Sequence, residues 1–271
     1  MKRKFITFAD SRMTGALRRI RKQAEELGVF DEIEALTEKD LDESFREKYS
    51  KYLKGNVRGF GWWIWKPYII HKELIRLQDG DQLIYIDAGC HINPRGRKRF
   101  IEYMEILAAN PIGIAAFELD SNCSEYRYSK MDLIAHLGVK DNSNILKRGQ
   151  LCTGHIFLVK NEQTVNFVYR WLQETLIIPH VDDSPSILEN DPQFIEHRHE
   201  QSVFSIMCKL HGAASLPGGE TWPRVYGDWK SLSEYPIWDK RDLGISSHLI
   251  FRTWRKIRKI WKNIQRKWRK D

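Results

Sequence analysis

The sequence predicts an α/β fold, and three observations carry the prediction. Short apolar, β-prone runs recur at residues 4–9, 82–87, 112–118 and 154–161. Segments with helical spacing stand between them. Glycines close several of those segments, at Gly28, Gly138 and Gly212. Alternation of this kind builds a sheet with helices packed against it. The chain has 271 residues, 42% of them hydrophobic, which suffices for a sizeable core. Residues 1–245 read as one domain and 246–271 as an appended tail.

Taken in order, "KFITFA" is the first strand, Asp10-Ser11 a turn with a helix cap, and "RMTGALRRIRKQAEELG" a helix closed by Gly28. Strand, loop and helix open many nucleotide-binding units. The chain nevertheless has neither GxGxxG nor GxxxxGK[ST], so a dinucleotide fingerprint and a P-loop are both excluded. Residues 38–53 read as a charged helix. In "GFGWWIWKPYIIHKELIRL", Pro67 suits a first helical turn, and Ile69, Ile70, Leu74 and Leu77 recur at helical spacing. Arg58 and Lys66 flank the aromatic residues Phe60, Trp62, Trp63 and Trp65. Two readings stand: an aromatic core with snorkelling cations, or cations placed for a phosphate.

The run Leu83–Ile86 then ends in Asp87-Ala88-Gly89. In open α/β sheets ligands gather at the carboxyl ends of strands, so this acid either meets a cation or a sugar hydroxyl, or caps the next turn. A helix follows at 96–109, a strand at 112–118, a helix from Lys130 to near Gly138, and a strand at 154–161. "EQTVNFVYRWLQETL" is an amphipathic helix, 178–194 a loop, and the segment ending at Gly212 a helix with a polar lead-in. Residues 213–247 are rich in loops. His197 and His199 stand two apart, which does not put both on one helical face for zinc.

Charge is concentrated at one end. The chain carries +8 overall, but residues 251–271 hold ten Lys/Arg and one Asp, leaving the first 250 residues at −1. In the tail, Ile250, Trp254, Ile257, Trp261, Ile264 and Trp268 fall on one helical stripe among basic residues. A coiled coil suits the spacing and nucleic acid suits the charge. An interfacial helix suits both, with Trp at the headgroup level and Lys/Arg on anionic lipid. The expectation is an anionic membrane surface and no nucleic-acid partner. No apolar run is long enough to span a bilayer, and "MKRKFITFAD" makes no secretory signal. Four scattered cysteines without a CxxC pair suit a reducing cytosol. The expected location is therefore cytoplasmic, peripheral at the inner membrane face.

Four stretches in order, "RGFGWWIWKPYII" (58–70), "GDQLIYIDAGCHIN" (80–93), "SEYRYSKMD" (124–132) and "HRHEQSVFS" (197–205), together resemble bacterial GT-A-type glycosyltransferases of capsule, O-antigen and lipopolysaccharide assembly. "GHIFLVKNEQTVNFVYRWL" (154–172) is similar to another pattern of that family. The resemblance implies a Rossmann-like mixed central sheet flanked by helices. It implies a hexosyltransferase with a nucleotide-diphosphate sugar donor and a glycan or lipid-linked acceptor, building cell-surface polysaccharide. Asp87 would occupy the place of the family's DxD motif, as a catalytic group and metal ligand. Thr7, Phe8, Ala9, Asp10, Arg12, Arg58, Lys66 and Gly89 would lie on the donor side. His199, Glu200 and Gln201, with Lys130 and Asp132 of a K-x-D element, would lie on the acceptor side, Glu200 as general base. From the residues alone, Asp10 and Glu200 equally suit helix starts, and Lys130 and Asp132 suit surface charges.

The second acid of DxD is missing here, replaced by Gly89. Mn²⁺ or Mg²⁺ at Asp87 would need help from His91, Asn93 or a distant residue. Otherwise Lys66 or Arg58 would neutralise the diphosphate instead. The missing acid also leaves open a non-catalytic, membrane-associated protein that binds nucleotide or sugar.

Overall fold

The computed structural model describes residues 1–244. The tail, with its stripe of Trp254, Ile257, Trp261, Ile264 and Trp268, lies outside the described residues. The expected architecture is present: a mixed central sheet flanked by helices. Its strands are β1 (Arg3–Phe8), β2 (Glu32–Leu36), β3 (Gln82–Ile86), β5 (Ile114–Glu118), β6 (Leu151–Val159) and β7 (Ala214–Pro217). They lie in the order β2-β1-β3-β6-β5-β7. β6 is antiparallel to both neighbours, and the β2–β1, β1–β3 and β5–β7 pairs are parallel. Two short strands, β4 (His91–Ile92) and β8 (Ile237–Trp238), pair separately.

The period-2 alternation of strands gives the sheet two apolar faces. One packs Phe5, Ile84, Ile86 and Phe157 against the helices Thr14–Leu27 and Arg97–Ala109, through Leu17, Ile20, Phe100 and Tyr103. The other packs Ile6, Leu83, Tyr85 and Leu158 against Trp65–Leu74, Glu162–Thr175 and His199–His211, through Ile69, Ile70, Trp171 and Phe204. The glycines expected to close helices do so in the left-handed region, at φ 66° for Gly28, 71° for Gly138 and 81° for Gly212.

Two elements differ from the sequence reading. The charged helix expected over 38–53 shrinks to Glu43–Lys48, preceded by a 3-10 turn at Glu38–Asp40 whose cap is Thr37. Residues 32–36, not read as a strand, form edge strand β2. There Lys4, 6% exposed at its side chain, gathers Glu32 at 2.6 Å, Glu34 at 2.9 Å and the buried Glu73 at 2.8 Å. Acids that look like a loop in the sequence are thus held by one buried cation.

Candidate active site

The chain leaves β1 toward β2 on one side and leaves β3 toward β5 on the other. The carboxyl ends of β1 and β3 therefore part at a switch point, the place where ligands bind in open α/β sheets. The parallel register pairs Ile6 with Tyr85, so Phe8 and Asp87 fall side by side at that edge. Asp87 is anchored from β6: its backbone N–H donates to the Gly154 carbonyl at 2.7 Å. A Cβ on Gly154 would lie 3.6 Å from Asp87 Oδ2, so the glycine keeps the space beside the carboxylate clear.

Behind Asp87 stands a buried cation. Lys66 Nζ lies 3.2 Å from Asp87 Oδ1 and 3.0 Å from Glu200 Oε1, and donates to the Thr153 carbonyl at 3.2 Å. The Tyr85 hydroxyl donates to Asp87 Oδ1. The Thr153 hydroxyl donates to Glu200 Oε1 at 2.9 Å, and the Trp171 indole to the Glu200 carbonyl at 3.2 Å. Side-chain exposure separates the members: 34% for Asp87, against 2% for Lys66 and 4% for Glu200. Only Asp87 can meet a ligand in this state. Burial opposes the charge on Lys66, yet the carboxylates of Asp87 and Glu200 outweigh it and hold its pKa above the usual lysine range. Burial raises the Glu200 carboxyl above its ordinary value, with Lys66 and Thr153 offsetting part of the effect.

Lys66 reaches this position because of the backbone before it. Gly59, Phe60, Gly61, Trp62 and Trp63 all have positive φ, 60°, 54°, 93°, 50° and 60°. Three non-glycine residues in that region store strain. This left-handed turn launches the Trp65–Leu74 helix, and Trp65 then stacks on Phe8 with ring centroids 4.0 Å apart.

The other expected residues divide. Thr7, Phe8 and Ala9 are buried at the end of β1, with Thr7 Oγ1 unpartnered among the described residues. Asp10 caps the turn that follows, and Arg12 Nη2 lies 2.6 Å from it. Against the effect of burial, Arg12 holds the Asp10 carboxyl below its ordinary pKa. Gly89 passes its carbonyl to the backbone N–H of Asp242 at 2.8 Å. Gln201, half-buried, bonds Thr153 N at 3.3 Å and Gln150 at 2.8 Å.

Several residues face elsewhere than expected. Arg58 pairs with Asp183 at 3.5 Å and Glu196 at 3.6 Å, not with Asp87. Lys130 bonds Asp182 at 2.8 Å and the Pro179 carbonyl at 3.1 Å, while Asp132 accepts from the backbone N–H groups of Ile187 and Leu188. Both are spent on fastening the 178–190 loop. Lys130 and His197 do line an open pocket of about 590 Å³ formed by that loop, but Asp87, Lys66 and Glu200 do not. His199, with φ 53°, bonds the Val181 carbonyl through Nδ1 at 2.6 Å. His91 bonds Asp242, and the Asn93 amide bonds the carbonyls of Ser233 and Tyr235. Tyr85, Thr153 and Gly154 are the members that the sequence reading missed. Tyr85 stands two residues before Asp87, hence on the same strand face, and that spacing was the signal available.

A divalent cation at Asp87 fits these residues poorly. One carboxylate oxygen is taken by Tyr85 and Lys66, and His91 and Asn93 are committed elsewhere. Cys90 and Cys152 are buried beside Gly154. Burial and nearby carboxylates push the Cys90 thiol well above its ordinary pKa and the Cys152 thiol to about 12, so both stay neutral. Two groups of three potential ligands occur among the described residues, His136–Glu174–His180 and Cys152–His155–Asp239, and Asp87 belongs to neither.

No known family profile matches the chain. No curated protein matches it either. Among solved structures it is similar to a glycosyltransferase involved in glycosylation of the major capsid of PBCV-1, at 10% identity over 88% of this chain and 91% of that one, TM-score 0.48. It is also similar to mouse xyloside xylosyltransferase 1, at 10% identity over 88% and 97%, TM-score 0.44. A third is the galactosyltransferase LgtC with donor and acceptor sugar analogues, at 12% identity over 86% and 85%, TM-score 0.44. Likenesses at this level assign no activity to this chain.

Proposed function

We propose that the protein is a glycosyltransferase that moves a sugar from a nucleotide-diphosphate donor to an acceptor hydroxyl. The observation that carries the reading is Asp87, an accessible carboxylate at the switch point of the sheet, backed by a buried lysine. Sugar transfer needs a group that orients the donor and answers the positive charge developing on the sugar ring, and a preorganised carboxylate does both. Tyr85 and Lys66 fix Asp87 Oδ1, which leaves Oδ2 for a donor hydroxyl. Lys66 and Glu200 are positioning residues in this scheme, because neither reaches solvent. Arg12, in the turn after β1 and 54% exposed, is held by Asp10 and the Gly55 carbonyl, and would have to exchange these partners to meet the leaving diphosphate.

The resemblance in sequence supports a nucleotide-sugar donor and a surface-glycan pathway. The tail supports a lipid-linked acceptor at the inner membrane face, since Trp and Lys/Arg on one helix would hold the enzyme at anionic lipid. The test is donor hydrolysis and transfer across a panel of nucleotide sugars, comparing the wild type with Asp87→Asn. Asp87→Asn should cut turnover by about 10²–10³ while the protein stays folded. A wild-type rate in that variant, or no turnover of any donor by the wild type, overturns the reading. Flotation on anionic liposomes should need residues 246–271; equal flotation without them removes the membrane part alone.

A further inference from the structure

We propose that His136, Glu174 and His180 form a zinc site that fastens the turn at 178–183 to the helical face of the fold. The proposal stands apart from the glycosyltransferase reading and uses none of its residues. The three side chains come from separate elements: His136 ends the Met131–His136 helix, Glu174 lies in the last turn of Glu162–Thr175, and His180 ends the 3-10 turn Ile178–His180. One ligand atom from each falls within 4.8 Å of the others. His136 Nε2 lies 2.8 Å from Glu174 Oε2, and His180 Nδ1 lies 3.8 Å from the same oxygen. Tetrahedral zinc with bonds of about 2.0–2.1 Å sets its ligand atoms roughly 3.4 Å apart. Small shifts of the half-exposed His136 ring and of the Glu174 carboxylate would close the two differences.

A second observation points to a ligand. His180 is only 9% exposed, and its Nδ1 has no hydrogen-bond partner among the described residues. A buried ring nitrogen without a partner is costly, and a metal satisfies it. Two imidazoles and one carboxylate suit zinc, whereas Mg²⁺ and Ca²⁺ prefer oxygen donors.

The site has a position from which it can act at a distance. The His180 carbonyl accepts from His197 Nε2 at 2.7 Å, and the next residue, Val181, accepts from His199. Zinc would therefore stiffen the support on which the His199–His211 helix begins.

The test strips the full-length protein with a chelator and titrates Zn²⁺ against a chromophoric competitor, with hydrogen exchange over 178–183 read in parallel. The wild type should bind one zinc with added protection there. His136→Ala and Glu174→Gln should each weaken binding at least tenfold and remove that protection. His136 is 42% exposed, so its variant tests ligation without threatening the fold. No binding at about micromolar Zn²⁺, undiminished affinity in both variants, or affinity lost instead in His155→Ala, which would place the metal at Cys152–His155–Asp239, each overturns the proposal.

Discussion

Lys66→Met isolates the electrostatics behind Asp87. Met matches the stem of Lys66 and deletes only the ammonium. The loss falls unequally on the two carboxylates. Asp87, 34% exposed, can recover hydration, so its share is discounted. Glu200, 4% exposed, cannot, and keeps only the Thr153 hydroxyl. Removing one partner of a buried pair costs about 3–5 kcal/mol, and with Asp87 discounted the lower end applies, about 3 kcal/mol. For a domain of this size that lowers Tm by roughly 6–12 °C. Adding Glu200→Gln removes the stranded charge. The double variant should regain about 2 kcal/mol of the deficit, because an apolar or neutral replacement of a buried pair is often tolerated. Urea denaturation with unchanged m values is the assay. A Lys66→Met protein within about 1 kcal/mol of the wild type, or a double variant weaker than Lys66→Met alone, would refute the reasoning.

Two further outcomes follow from the same cluster. Burial raises the Glu200 pKa above its ordinary 4.5, so the folded chain binds that proton more tightly than the unfolded chain. The stability this contributes is present below the ordinary carboxylate range and is lost as pH rises through the raised value, so the advantage of wild type over Glu200→Gln should shrink as pH rises above the ordinary 4.5; denaturation midpoints that diverge instead would show that the ionised form is the stabilised one. Adding Mn²⁺ or Mg²⁺ to the metal-free enzyme should change donor turnover by less than about threefold, where a Lewis-acid role would contribute several kcal/mol. Activation by a hundredfold or more would place a cation at Asp87 after all.

The fold was legible where the chain repeats a period. β1, β3, β5 and β6 are apolar runs, and the helices between them carry apolar stripes closed by glycine. β2 was not legible because Glu32 and Glu34 read as solvent-facing until Lys4 is seen beneath them. Asp87 drew attention because it follows a buried strand at the carboxyl edge of the sheet, where ligands gather, although capping of the next turn suited it as well. Its partners were harder. Lys66 and Glu200 come from two helices packed on the same sheet face, and the register of β3 against β6 brings Thr153 and Gly154 beside Asp87; no local pattern encodes pairings over that sequence distance. Arg58, Lys130 and Asp132 show the converse. Their types suit phosphate or acceptor binding, but loop acids and backbone groups far along the chain claim them first.

The left-handed turn ahead of Lys66 supplies a last prediction. At Gly59 a Cβ would stand 2.2 Å from Cδ2 of the Trp63 ring, and the Gly59 carbonyl accepts from the Trp65 indole at 2.9 Å. At Gly138 φ is similarly positive, 71°, but a Cβ would meet nothing within 4 Å. Gly138→Ala therefore carries only the conformational cost, about 1–2 kcal/mol. Gly59→Ala carries the same cost plus the displacement of a rigid indole that packs near His199, about 1–3 kcal/mol more. Equal losses in the two variants would show that the turn tolerates the methyl and that Trp63 is not held where the structure has it. The displacement should also reach the ion cluster, since Lys66 lies one helical turn beyond Trp63. In a Gly59→Ala background, Lys66→Met should then cost less than it does alone, because the ammonium is already drawn off Glu200. Strict additivity of the two changes would mean that the turn does not set the position of Lys66.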